Sequence, residues 1–229
     1  MAERSIKRRI TVRIIVGIVF VCAVFFGTAG TFNWPEAWVY MIIQFGWAIA
    51  LSVFLMRFNP ELAKDRLTFM KKTAKSWDKA IIFGSIPIYT AYILLPGLDA
   101  VRYQWSKVPI FVKAICFAVV IVSFSWIFWI MKENAYLSRV VEVQKEKQHK
   151  VVTTGPYRYV RHPMYAGVIV LLFCLPLALG SLYALIPAAF LTMLFIIRTH
   201  LEDKTLHREL DGYGDYAKKT RYRLIPKIW

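Results

Sequence analysis

The stretch MYAGVIVLLFCLPLALGSLYALIPAAFLTMLFIIRT, residues 164–199, runs for 36 residues with no charge before Arg198. A helix needs about 20 apolar residues to cross the hydrocarbon core of a bilayer, so this run is too long for one span and just long enough for two. Gly180 and Ser181 sit near its middle, and a tight turn is expected at residues 179–181. Backbone groups inside lipid must be satisfied within their own segment, and nothing in the stretch alternates like a barrel strand. Both halves are therefore read as helices.

Residues 10–31, 37–58, 80–98 and 108–131 are four further apolar runs of spanning length. Together the runs predict an all-α, polytopic transmembrane bundle of about six spans. Residues 1–131 form its N-terminal four-helix part, and residues 132–229 hold the longer polar segments where chemistry must reside. The first run follows a basic arm, MAERSIKRRI, as a signal peptide would. It is as long as a full span and ends without an A-x-A site, so a retained helix is expected.

Charge placement argues for the same picture. Lys and Arg number 30 against 14 Asp and Glu, a net +16 that in a soluble chain would suggest nucleic acid. Of those 30, 27 fall in the N-terminal arm, the segment between the second and third runs, the segment after the fourth, and the tail from Arg198; only Arg102, Lys107 and Lys113 fall elsewhere. The positive-inside rule then places both termini in the cytoplasm. Topology and attraction to anionic lipid account for the charge, and no nucleic-acid partner is needed. The cysteines, Cys22, Cys116 and Cys174, each lie within an apolar run and read as packing residues, with no metal centre.

Two polar stretches carry the candidate chemistry. In VVTTGPYRYVRHPMYAG, residues 151–167, Gly155-Pro156 signals a turn and Pro163 suits a first helical position. A helix N-terminus is thus expected beside His162 and Tyr165, where free N–H groups favour an anion such as an amino-acid carboxylate. The ordinary alternative is a turn with interfacial Arg and Tyr anchors. In the second stretch, residues 198–226, Arg198 and Glu202 are spaced i, i+4 and share a helix face, an intrahelical ion pair being the plain reading. Arg198 sits at the last apolar turn, where an idle charge is costly. Asp203, Glu209, Asp211 and Asp215 read as a solvated face.

Taken together, Gln144, His149, Val152-Thr153, Gly155, Tyr157, Arg161-His162-Pro163, Tyr165 and Gly167, followed by Arg198, Glu202-Asp203, Leu206, Tyr213, Tyr216 and Pro226, resemble the isoprenylcysteine carboxyl methyltransferase family. The related phospholipid N-methyltransferases share a looser form of the pattern. Asn59-Pro60-Glu61 and Trp77-Asp78-Lys79 are similar to prokaryotic members. Where family members commonly show two glutamates this chain has Glu202-Asp203. The resemblance covers about the last 90 residues and implies S-adenosylmethionine as cofactor, with S-adenosylhomocysteine as product and a prenylated or other lipid-like acceptor drawn from the membrane. By the same resemblance Gln144, His149, Val152, Thr153, Gly155, Tyr157, His162, Pro163, Tyr165 and Glu202 hold the cofactor, while Arg198 faces the acceptor and shares the catalytic role with Glu202. No G-x-G-x-x-G is present, so a Rossmann-type site is not expected. N- or S-methylation of a phospholipid or other lipid, a nicotinamide-dependent membrane reductase and a non-enzymatic scaffold are the competing readings.

Overall fold

The computed structural model describes residues 2–68, 71, 73–142 and 149–229. Its helices are α1 (Ala2–Ala29), α2 (Pro35–Phe58), α3 (Pro60–Arg66), α4 (Ser76–Gly97), α5 (Ile110–Glu133), α6 (Pro163–Leu179), α7 (Leu185–Glu209) and α8 (Tyr213–Lys219), and no strand occurs among the described residues. Pro35, Pro60 and Pro163 each begin a helix, where the missing N–H costs nothing. A π-helical turn, Leu98–Arg102, prolongs α4.

Five helices are long and apolar enough to cross a membrane: Ser5–Ala29, Pro35–Phe58, Ser76–Arg102, Ile110–Glu133 and Leu185–Glu209. The sixth expected span, α6, has 17 residues, the short end of the range for a span. It stops at Leu179 because Gly180 takes φ 92°, a left-handed cap that turns the chain into α7. Val16, Val19, Ile42, Val53, Ile115 and Val122 stand exposed on the outer faces. In water such a surface would be anomalous; against lipid it is the expected one.

Small residues set how closely the helices approach, as lipid-embedded packing requires. Gly167 lets α6 lie against Trp126 and Ile127 of α5, where an added Cβ would come within 3.0 Å of Trp126. Gly97 does the same for α4 against Thr28 and Ala29 of α1. Tyr92, Leu172, Ala188 and Leu191 then fill the space between α4, α6 and α7.

Polar contacts gather at the two ends of the bundle. At one end Arg13 reaches the carbonyl oxygens of Arg66 and Leu67 after α3, Lys75 pairs with Glu209 at 2.7 Å, and Asp78 meets Arg198. At the other, Lys113 pairs with Glu36 at 2.6 Å, and Asp99 accepts from Ser106, Ser181 and the Tyr183 N–H. The four basic segments thus share the first end, as the charge count predicts. Gly97→Ala places a Cβ 2.0 Å from Thr28 Oγ1 and 3.0 Å from the Ala29 nitrogen. It should cost about 1–3 kcal/mol, read as a lower thermal midpoint in detergent.

Candidate active site

The segment leaving α5 turns back sharply at Gly155, whose φ is 56° and whose added Cβ would lie 2.7 Å from Glu133 Cγ. Only glycine suits that position. Thr154 Oγ1 donates to Glu133 at 2.6 Å, and a 3₁₀ turn over Gly155–Arg158 delivers Tyr157 inward. The Tyr157 hydroxyl accepts from Asn134 Nδ2 at 2.7 Å, while its carbonyl accepts from the Tyr216 hydroxyl of α8 at 2.7 Å. Pro163 then opens α6, and its carbonyl accepts from the Trp126 indole at 3.0 Å.

This turn, the polar extension of α7 and helix α8 border a cavity of about 100 Å³ that opens to solvent. His149, Val152, Tyr157, His162, Pro163, Tyr165 and Glu202 all line it. Thr153 is exposed beside it, and Gly155 stands behind the wall against Glu133. Gln144 lies outside the described residues. The two motif stretches therefore meet, although 37 residues separate Tyr165 from Glu202, whose carboxylate accepts a short hydrogen bond from the Tyr165 hydroxyl.

Arg198 lies outside that lining. Its Nε donates to Asp78 Oδ1 at 2.7 Å, and its Nη2 to Asp78 Oδ2 at 3.3 Å and to the Arg139 carbonyl at 2.9 Å. Asp78 is fully buried and also accepts from the Val141 N–H at 2.8 Å. Arg198 is thus bound to α4 rather than to Glu202 along its own helix. Its guanidinium carbon sits 5.4 Å from the centre of the Tyr165 ring, behind the ring that faces the cavity.

Asp203 corrects the expectation of a solvated face: it is 2% exposed. Oδ1 accepts from Arg161 Nε at 2.8 Å and from the Tyr213 hydroxyl at 2.9 Å, while Oδ2 accepts from Arg161 Nη2 at 3.1 Å and Arg223 Nε at 2.9 Å. The C-terminal segment folds back to make this possible. The backbone N–H groups of Arg161 and His162 donate to the Tyr222 and Arg223 carbonyls, each at 2.9 Å. His162 Nε2 lies 3.3 Å from Asp203 Oδ1. An ionised carboxylate only accepts, so Nε2 carries the hydrogen, and the imidazole stacks parallel to Tyr165 at 5.9 Å.

The cavity favours a ligand with a cationic part. Glu202 and Glu142 present carboxylates, and Tyr136, Tyr157, Tyr165 and Tyr213 present rings. Burial would raise the Glu142 carboxyl, but hydrogen bonds from Lys71 and Thr73 hold it below the ordinary range. Burial pushes Tyr157 up and, with the Asp203 charge, Tyr213 also, while Tyr216 rises to about 12. All three are therefore hydroxyl donors at neutral pH. Burial lowers His149, only partly offset by Glu142, so its ring is neutral there, and its buried Nδ1 has no partner among the described residues. Arg161 lines the cavity too, with its charge met by Asp203.

The glutamate pattern Glu202-Asp203 divides into two unlike jobs: the first residue faces the cavity and the second ties its wall together. Asp203→Asn leaves Arg161 and Arg223 without their carboxylate and should cost about 3–5 kcal/mol. Asp215→Asn, on the exposed face of α8, should leave the unfolding midpoint unchanged; chemical denaturation in detergent compares the two.

No curated protein matches the chain. The model of the phospholipid methyltransferase family matches residues 109–211, from the start of α5 to just past the end of α7. That span contains Tyr157, His162, Tyr165, Glu202 and Asp203, and the similarity is to membrane methyltransferases of lipid-like substrates, relatives of the isoprenylcysteine family that the motifs resemble.

Proposed function

We propose that the cavity binds S-adenosylmethionine and that the chain transfers its methyl group to a lipid-like acceptor at the membrane surface. The observation that carries this reading is the meeting of the Tyr157–Tyr165 turn with Glu202 around one acidic, aromatic cavity, within the region that the methyltransferase family model matches. When bound, S-adenosylmethionine supplies an electrophilic methyl group on a positively charged sulfur. The residues present suit such a group. Glu202 and the rings of Tyr157 and Tyr165 favour its cation, the Nδ1 of His149, unpaired among the described residues, meets a polar edge, and the backbone at Val152 and Thr153 serves adenine and ribose. Tyr165 fixes the orientation of Glu202, as Asp203 fixes His162.

The acceptor we propose is the carboxylate of an isoprenylcysteine-like lipid, whose tail stays in the bilayer while its head reaches the cavity. Attack by a carboxylate needs no proton removed, so the walls have only to align the reactants and exclude water. Arg198 acts here as a positioning residue: through Asp78 it holds the Val141 wall, and through its stacking it backs Tyr165. The family match favours a second reading, a phospholipid headgroup amine, which must lose a proton first; His162 or Glu202 is then the base. The basic end, with both termini and the cavity, faces the cytoplasm in either case.

S-adenosylhomocysteine should raise the thermal midpoint of the purified chain while NADPH does not, and the reverse result would replace methyl transfer with reduction. No response to either ligand would leave a scaffold. Glu202→Gln should weaken S-adenosylhomocysteine binding by about 1–3 kcal/mol, the cost of losing a charged hydrogen-bond partner. Incubated with labelled S-adenosylmethionine, prenylcysteine analogues should acquire a base-labile methyl ester; base-stable label in phospholipid would assign the amine instead.

A further inference from the structure

Three arginines converge where the early part of α1, helix α3 and the segment after α5 meet. Arg13 donates to the carbonyl oxygens of Arg66, at 3.5 Å, and Leu67, and Arg66 Nη1 donates to the Leu137 carbonyl at 3.4 Å. The Arg139 guanidinium has no hydrogen-bond partner among the described residues, and none of the three is paired with a carboxylate there. This sets them apart from Arg161, Arg198 and Arg223, which share Asp203 and Asp78. The three also feel one another: burial, then the charge of Arg139, lowers Arg66 to about 10, and burial, then the charge of Arg13, lowers Arg139. Arg66 is half-buried while Arg13 and Arg139 are exposed, so the cost of holding the three like charges together is moderate, and an anion among them would relieve it.

The arginines rim a cavity of about 260 Å³, open to solvent, whose remaining walls include Ile10, Ile14, Phe45, Leu51 and Leu55. Ile10, Ile14 and Ser52 also border an apolar trough on the outer surface between α1 and α2, with Lys7 and Arg57 among its lining. Cationic head and apolar trough thus follow one another along spanning helices, at the end of the bundle where the basic segments gather. This is the layout of a single phospholipid: phosphate at the interface and an acyl chain beneath it.

We propose that Arg13, Arg66 and Arg139 bind the phosphate of an anionic membrane phospholipid whose acyl chain lies in the trough between α1 and α2. The site is separate from the cofactor cavity. Residues 137–141 form a partition between them: Leu137, Val140 and Val141 line the cofactor cavity, and Arg139 lines the other. The proposal holds whether or not the chain transfers methyl groups. It makes the lipid a structural partner of the partition, because the backbone that carries Arg139 also accepts from Arg198 and, two residues on, donates to Asp78.

The purified full chain in detergent is titrated with phosphatidylglycerol, with phosphatidylcholine of the same acyl chains, and with inorganic phosphate, reading thermal midpoint and lipid retained in native mass spectrometry. Phosphatidylglycerol should bind and stabilise more strongly than phosphatidylcholine. Arg139→Gln, which removes no hydrogen bond among the described residues, should fold normally and weaken phosphatidylglycerol binding roughly five-fold, the worth of one basic side chain at an anionic membrane surface. Lys218→Gln removes the same charge from exposed α8 and should leave binding unchanged. Arg13→Gln should act as Arg139→Gln does. Equal binding of the two lipids, undiminished phosphatidylglycerol binding by Arg139→Gln, an equal loss in Lys218→Gln, or full stabilisation by inorganic phosphate alone would overturn the proposal.

Discussion

The buried carboxylate of Asp203 is the contact on which the rest of the candidate site depends. Two arginines, one before α6 and one in the C-terminal segment, converge on its two oxygens, with the Tyr213 hydroxyl on the same group. A buried charge is tolerated only when it is paired and hydrogen-bonded on every side, and here it is. Because the partners come from three separate parts of the chain, satisfying one carboxylate closes the turn, the α7 extension and the tail around the cavity. The geometry of His162 and Tyr157 follows from that closure: the first is held through Asp203 and the second through Tyr216.

Helix α4 sets where the α7 extension stands. It carries a fully buried aspartate near each end: Asp78 in its first turn and Asp99 in the π turn that prolongs it. Asp78 holds Arg198 in α7, while Asp99 holds Ser181 at 2.5 Å and the Tyr183 N–H at 3.1 Å in the turn that leads into α7. One helix thus clamps another at both ends. Glu202 lies one turn beyond Arg198, so the clamp also fixes the depth at which its carboxylate meets Tyr165.

The spans were legible because a bilayer imposes length and hydropathy on contiguous residues. The break at Gly180 and the helix start at Pro163 were legible for a similar reason, since each depends on the backbone preferences of one residue. Asp203, Asp78 and Asp99 were opaque. Each has a partner far along the chain, 42, 120 and 82 residues away, and nothing local distinguishes a carboxylate that will be buried by a returning segment from one left in water. Arg198 shows the same limit from the other side. Its burial was expected from its place at the last apolar turn, but the i, i+4 spacing pointed to Glu202, and the bidentate partner came from α4. What joined the two polar stretches was the family pattern they share, not a physical signal local to either of them.

The arginines at the basic end divide by how their charge is met, and the division explains how a chain of net +16 builds a cavity suited to a cation. Arg161 and Arg223 share Asp203 and Arg198 holds Asp78, so two of these three charges are met by carboxylates behind the cavity wall. Glu202, Glu142 and the tyrosine rings then set its character. Arg13, Arg66 and Arg139 lie across the partition of residues 137–141, with no carboxylate paired to them among the described residues. Separation matters because a positive field inside the cavity would oppose a sulfonium or ammonium group, while the same field outside draws anionic lipid to the bundle. Placing the carboxylates behind the cavity wall, rather than spreading them over the surface, is what lets both fields exist within one small protein.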